Sequence, residues 1–270
     1  LTFGHLLLVA LVQGITEFLP VSSSAHLVLI PVFTGWEDQG LSIDIAAHLG
    51  SLGAVAVYFR KDVSDLVHGL VVAACWQPDG NSRLALLLAV ASVPTILVGA
   101  LLISLNTGPF RSIEVVAWAT LAGAIALLVA DRMTFCTRNT QNMSIKHAVI
   151  IGLAQVLALI PGASRAGVTI TAALLCGYER REAARFSMLL SIPIVLAAGA
   201  FSAFQVAVQG EAALTHAALT SAALAFAASY ATITLMMEWL RRSSYMPFVV
   251  YRAILGIGLL WWLYGNDNFL

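Results

Sequence analysis

The chain has 270 residues, of which 60% are hydrophobic and only 10% charged, and its 14 Lys and Arg balance its 14 Asp and Glu. A soluble domain carries about 25% charged residues, so this composition excludes one, and a mean hydropathy of +0.89 over the whole length points to a polytopic membrane protein built of helices. Zero net charge provides no basic field to gather nucleic acid, and Cys75, Cys136 and Cys176 are too few and too scattered for a disulfide framework or a thiolate metal site.

In chain order, the N-terminus has no basic n-region and no small-residue cleavage site, so no cleavable signal peptide is expected. Thr2 to Phe33 is apolar yet too long and too interrupted for a simple span. Ile43 to Phe59 follows as a span with Asp44 at its mouth, then Val63 to Cys75, a short segment bounded by Asp62, Asp65 and His68 that reads as interfacial. Leu84 to Leu105 and Ile113 to Ala130 are spans of the length a hydrocarbon core of about 30 Å requires. Ser144 to Cys176 is a second interrupted segment, after which Phe186 to Val208, Ala217 to Met237 and Phe248 to Tyr264 complete six spans. Pro94 and Pro193 fall inside spans, where the hydroxyls of Ser92 and Ser191 are expected to re-satisfy freed carbonyls. Arg252 lies one turn into the last span and is expected to snorkel to the headgroups. Trp261, Trp262 and Tyr264 read as an interfacial belt, and Glu179 to Glu182 as a solvated loop.

Cytoplasmic loops collect Lys and Arg. With Arg60 to Arg83, Arg132 to Lys146, Arg180 to Arg185 and Arg241-Arg242 inside, each span has opposite ends, and Gly35 and the C-terminus lie outside. Ser144 to Cys176 then has basic loops at both ends and reads as re-entrant, and so by the same logic does Thr2 to Phe33. The expected fold is thus an all-α polytopic membrane protein, a single integral membrane domain over residues 1–270. It has six transmembrane helices plus two re-entrant helix-loop-helix elements, in repeats of residues 1–131 and 144–265. Three spans per repeat is an odd number, so the topology is inverted, which places a site at the midplane where broken helices meet.

The first interruption reads Gln13-Gly14-Ile15-Thr16-Glu17-Phe18-Leu19-Pro20-Val21-Ser22-Ser23-Ser24-Ala25-His26. Gln13 and Glu17, four apart, share a helix face. A charge at the bilayer centre costs roughly 2.5–3.5 kcal/mol on insertion scales and is a functional candidate by default. Pro20 ends the helix, three hydroxyls supply donors and a candidate nucleophile, and His26 stands three residues beyond Ser23, within reach of its proton. The second reads Pro161-Gly162-Ala163-Ser164-Arg165-Ala166-Gly167-Val168-Thr169. Arg165 is the sole Lys or Arg between Lys146 and Arg180, beside hydroxyls of Ser164 and Thr169 and a glycine turn, a composition suited to phosphate. Two readings stand: Glu17 and Arg165 serve a reaction, or they are an ion pair holding the halves together. His48 has no partner in sequence and reads as structural.

Gln13-x-x-x-Glu17 with Pro20-Val21-Ser22-Ser23-Ser24-Ala25-His26, and Pro161-Gly162-Ala163-Ser164-Arg165-x-x-x-Thr169, together resemble the paired motifs of the bacterial undecaprenyl-diphosphate phosphatases of the bacitracin-resistance type. The resemblance extends over essentially the whole chain, including His48-Leu49-Gly50 and Tyr58 to Asp62. It implies a multi-pass enzyme of the bacterial inner membrane that removes the terminal phosphate of undecaprenyl diphosphate with a divalent cation, Mg²⁺ or Ca²⁺, recycling the lipid carrier for cell-wall synthesis. Its partners would be that lipid and the bilayer, with a homodimer as candidate assembly. By position, Ser23 would be the nucleophile. Glu17 and Gln13 would be the acidic, metal-binding motif, and Gly162, Ser164, Arg165 and Thr169 the phosphate-binding motif, with Ser22 and Ser24 beside the substrate. Gln13 stands where the family often has Glu, and Ala166 where a serine is common. A diphosphate in a low-dielectric pocket itself calls for a metal ion. Either Ser23 attacks the distal phosphorus, with His26 or Glu17 taking its proton, or water attacks directly. The rival reading is a polyprenyl-phosphate transporter or flippase, for which the serine-rich run has no use.

Overall fold

The computed structural model describes residues 2–36, 40–74, 80–105, 112–133, 137–140, 143–209 and 216–265. Cys75, Cys136, residues 106–111 of the loop after the second span and the C-terminal residues 266–270 lie outside the described residues.

Among the described residues the chain is helical, its one bridge joining Arg138 and Tyr178. The helices are α1 (Phe3–Thr16), α2 (Ser23–Thr34), α3 (Leu41–Tyr58), α4 (Arg60–Ala74), α5 (Gly80–Ser104), α6 (Ile113–Met133), α7 (Ile145–Val156), α8 (Arg165–Leu175), α9 (Arg180–Gln209), α10 (His216–Trp239) and α11 (Met246–Gly265). Six of these, α3, α5, α6, α9, α10 and α11, are long and apolar enough to cross a membrane, which makes the chain a multi-pass membrane protein. Large apolar side chains such as Leu97, Ile125, Leu235 and Ile254 face outward, whereas Ser51, Ser187, Ser191, Ser221 and Ser229 are buried between helices. Lipid is as apolar as leucine, so helices associate through small side chains and hydroxyls rather than by hiding hydrocarbon.

The two interrupted segments are pairs of short helices. Thr2 caps α1 by accepting from His5 N at 3.3 Å, and Ser144 caps α7 by accepting from His147 N at 3.2 Å. Helix α1 stops before Pro20 and resumes as α2; α7 runs into a short 3-10 turn (Leu157–Leu159) before Pro161 and resumes as α8. Each first helix lies on a long partner by the same device. Gly14 of α1 meets α10, where a Cβ would come 2.7 Å from Ala225 O, and its carbonyl accepts from Ser229 Oγ. Gly152 of α7 meets α5, where a Cβ would come 2.5 Å from Ala91 O, and its carbonyl accepts from Thr95 Oγ1.

Several local expectations are corrected. Helix α9 begins at Arg180 rather than Phe186, because its first turns are held by ion pairs: Arg180 Nε lies 2.6 Å from Asp131 Oδ1, and Arg185 is paired with Asp62 and Glu182. Arg180 and Glu182 are therefore parts of a structured end rather than a solvated loop. The serine hydroxyls near the helix prolines donate to Leu88 O and Met188 O, the serines' own preceding turn, rather than to the carbonyls at positions 90 and 189 that the prolines free. Arg252 does not snorkel; it is 0% exposed.

Candidate active site

The two interruptions meet in a cavity of about 350 Å³. Both restarting helices present their N-termini to it, through Ser22 to Ser24 and through Ser164 and Arg165. Ser22 and Ser164 each take a positive φ, 76° and 69°, and each then caps its helix, Ser22 Oγ accepting from Ala25 N and Ser164 Oγ from Gly167 N. A left-handed residue before an αR turn reverses the chain sharply, so the helix N-termini, with their unpaired amides and positive dipole ends, point into the cavity.

Glu17 is the hub. Its Oε2 accepts from Ser23 Oγ at 2.8 Å and from Gln13 Nε2 at 2.9 Å. Its Oε1 accepts from Arg165 Nη2 at 3.3 Å, and His48 Nε2 stands 3.9 Å from Oε2. The Arg165 guanidinium is fixed by a second bond from Nη1 to Ser187 O at 3.0 Å and lies over the Phe18 ring. Glu17 and Arg165 are thus brought together from the two halves, and their side chains remain 9% and 12% exposed, toward the cavity.

The other sequence candidates divide into those on the cavity and those behind it. Ser22, Ser23, Ser24 and Ser164 line it. Gln13 is 0% exposed and supports Glu17 from beneath. Gly162 takes a φ of 94° and packs against α6, where Thr120 Oγ1 donates to its carbonyl. Thr169 hydrogen-bonds Ser187 Oγ at 2.7 Å, bracing the strut that holds Arg165. His26 is turned elsewhere: Nδ1 donates to Ser22 O at 2.7 Å, and Nε2 meets the Tyr251 hydroxyl at 2.5 Å. The group hydrogen-bonded to Ser23 Oγ is therefore Glu17.

Three residues on or beside the site were not singled out from the sequence for it. Asp44 and His48 line the cavity from α3; their spacing of four was the available signal. Arg252, on α11, donates to Pro20 O of the first tip, to Gly162 O and Ala163 O of the second, and to Ala119 O and Thr120 O of α6. A charge inside a span was its signal, and snorkelling was the wrong resolution of it.

Residues 6–258 match the family model for bacitracin resistance protein BacA. The chain belongs to the BacA family. It is 47% identical over 258 residues to a protein of Ruegeria pomeroyi named undecaprenyl-diphosphatase, covering 95% of this chain and 97% of that one. It is 43% identical over 265 residues to an undecaprenyl-diphosphatase of Hahella chejuensis, covering 98% and 99%, and 42% identical over 264 residues to undecaprenyl-diphosphatase 1 of Rhodospirillum rubrum, covering 95% and 93%.

In this BacA-family chain the donors at the first motif do not suit a resident divalent cation held by Gln13 and Glu17. The motif brings one carboxylate, and that carboxylate already accepts from a guanidinium on one oxygen and from Ser23 and Gln13 on the other. A hard cation seeks several oxygens, and among the described residues no cluster of three His, Cys, Asp or Glu forms a metal-binding group.

Proposed function

We propose that this BacA-family protein hydrolyses the terminal phosphate of undecaprenyl diphosphate in the bacterial inner membrane, returning the lipid carrier to cell-wall synthesis. The observation that carries this reading is the Ser23 Oγ to Glu17 hydrogen bond of 2.8 Å, beside Arg165 in one cavity. A nucleophile, its base and a phosphate-binding cation stand within reach of one another there. The names of relatives 42–47% identical over nearly the whole chain agree with it.

In the proposed reaction the distal phosphate lies against Arg165 and the N-termini of α2 and α8. Glu17 Oε2 takes the proton of Ser23 as Oγ bonds to phosphorus and the bridging oxygen leaves on the lipid monophosphate. Water then cleaves the phosphoseryl ester. His26, engaged by Ser22 O and Tyr251, positions the start of α2 instead of accepting that proton. The isoprenoid remains along the apolar wall of the cavity, formed by Leu49, Ile194, Val195 and Ala198. A divalent cation, Mg²⁺ or Ca²⁺, would supply charge neutralisation of the diphosphate when bound; Gln13 and Glu17 themselves hold Ser23 and Arg165 in place.

The inverted arrangement of residues 1–131 and 144–265, with both helix pairs re-entrant, belongs to this proposal. The shared use of Gly14 and Gly152, of Ser22 and Ser164, and of Pro20 and Pro161 supports it. A homodimer is the candidate assembly. The test is phosphate release from undecaprenyl diphosphate by purified protein, with and without a chelator. Release that depends on added Mg²⁺ or Ca²⁺ supports the reading, and movement of intact lipid across vesicles without release would favour the flippase.

A further inference from the structure

We propose that His48 is a second cationic ligand of the substrate phosphate, acting across the cavity from Arg165. The inference deepens the phosphatase reading and rests on it.

The argument starts from the ring's fixed orientation. His48 Nδ1 lies 2.8 Å from Asp44 O, one turn earlier on α3. A carbonyl oxygen only accepts, so Nδ1 carries a hydrogen and the remaining nitrogen, Nε2, is the one presented to the cavity. Nε2 faces the Glu17 carboxylate at 3.9 Å. A neutral ring would set its lone pair against a carboxylate oxygen, whereas the imidazolium sets an N–H there. With a side chain 36% exposed on the cavity, the ring has room to turn that N–H onto an anion lying between it and Arg165.

Charge leads to the same assignment. Glu17 Oε1 already accepts from Arg165 Nη2, so an arriving phosphate shares that guanidinium with a carboxylate. Among the described residues lining the cavity, the charged or titratable groups are Glu17, Asp44, His48 and Arg165. Helix α9 contributes Ile194, Val195 and Ala198 to the wall, and α10 meets α3 through Ala222 and Phe226. Protonated, His48 adds to Arg165 a second cation among the described residues that line the cavity. When Glu17 takes the proton of Ser23 its attraction for the ring falls, and the N–H is left to the phosphoryl oxygens, where charge-assisted bonds are strong.

The experiment compares wild type with His48→Leu and His48→Lys in detergent, each first shown to unfold at the wild-type temperature. KM and kcat are measured on undecaprenyl diphosphate, and the dissociation constant of inorganic phosphate is measured directly. Loss of one charged hydrogen bond predicts KM and the phosphate constant raised about tenfold to a hundredfold in His48→Leu, with most of the fall in kcat/KM carried by KM. Lys should recover most of it. An unchanged KM in His48→Leu, or a fall confined to kcat with phosphate affinity intact, would overturn the assignment while leaving the phosphatase reading standing. If wild type releases no phosphate at all, that reading falls. Phosphate affinity still decides His48 then, since equal constants in wild type and His48→Leu reject it.

Discussion

Replacing Arg252 by methionine isolates what holds the two tips in register. The guanidinium is fully buried, and among the described residues no carboxylate pairs with it; it donates instead to carbonyls. Nη1 reaches Pro20 O at 3.2 Å, and Nη2 reaches Gly162 O at 3.1 Å and Ala163 O at 3.0 Å. Each buried carbonyl left without its donor costs about 1–3 kcal/mol, while removing a buried cation without a counter-ion recovers several kcal/mol of desolvation. The two effects oppose each other, so Arg252→Met should destabilise the fold by only about 1–4 kcal/mol. Turnover should suffer far more, because a misplacement of about 1 Å in a catalytic arrangement costs about a hundredfold. The assay pairs thermal unfolding in detergent with phosphate release per folded molecule. Arg252→Lys should fail as well, since a single nitrogen cannot span both tips. Gly167→Ala should share the defect, its new Cβ falling 2.5 Å from Nη1. Near-wild-type turnover in Arg252→Met, or full rescue by Lys, would refute the reasoning.

Ser23→Ala should lower phosphate release by at least about a thousandfold while leaving the unfolding temperature unchanged, because its hydroxyl caps no helix. Turnover retained at more than a tenth of wild type would transfer the attack to water. Gly50→Leu should prevent accumulation of folded protein, since any Cβ at Gly50 runs into the Ala222 backbone of α10; the check is membrane-extracted yield and monodispersity, and a normal yield would contradict the α3–α10 packing.

The spans and the interruptions were legible in the sequence because length, apolarity and Pro-Ser signals are local properties. Helix α3 begins two residues before the expected Ile43, and α6 begins at the expected Ile113. Pairing was legible only where charge was scarce enough to demand it, as for Glu17 and Arg165. His26 and His48 show why the remainder was not. Chain spacing put His26 near Ser23, yet the left-handed turn at Ser22 and the closeness of α11 carry its ring to Tyr251. His48 lies 31 residues from Glu17 in the chain, and it reaches the carboxylate only because α3 packs against α1 and α9. The early start of α9 has the same origin, since the Asp131 and Asp62 that hold Arg180 and Arg185 come from α6 and α4.

The contact between Glu17 and Arg165 separates a structural pin from a working site. A pin made of one buried ion pair predicts that either single variant leaves an uncompensated charge and costs about 3–5 kcal/mol, and that the double Glu17→Gln, Arg165→Gln recovers most of it. Here each partner is held by other groups as well. Glu17 Oε2 keeps Gln13 and Ser23, Arg165 Nη1 keeps Ser187 O, and the bond between the two is 3.3 Å long, the weakest of the set. Each single variant should therefore destabilise by less than a lone buried charge would, about 1–2 kcal/mol, and the double by no more than either. Activity should not follow stability. With a neutral residue 17 Ser23 has no base, and with a neutral residue 165 the phosphate has lost its guanidinium, so the double must unfold close to wild type and release no phosphate. Unfolding temperatures and phosphate release measured across the three variants decide the matter. Recovered turnover in the double would make the pair a structural device and place the chemistry on other groups of the cavity.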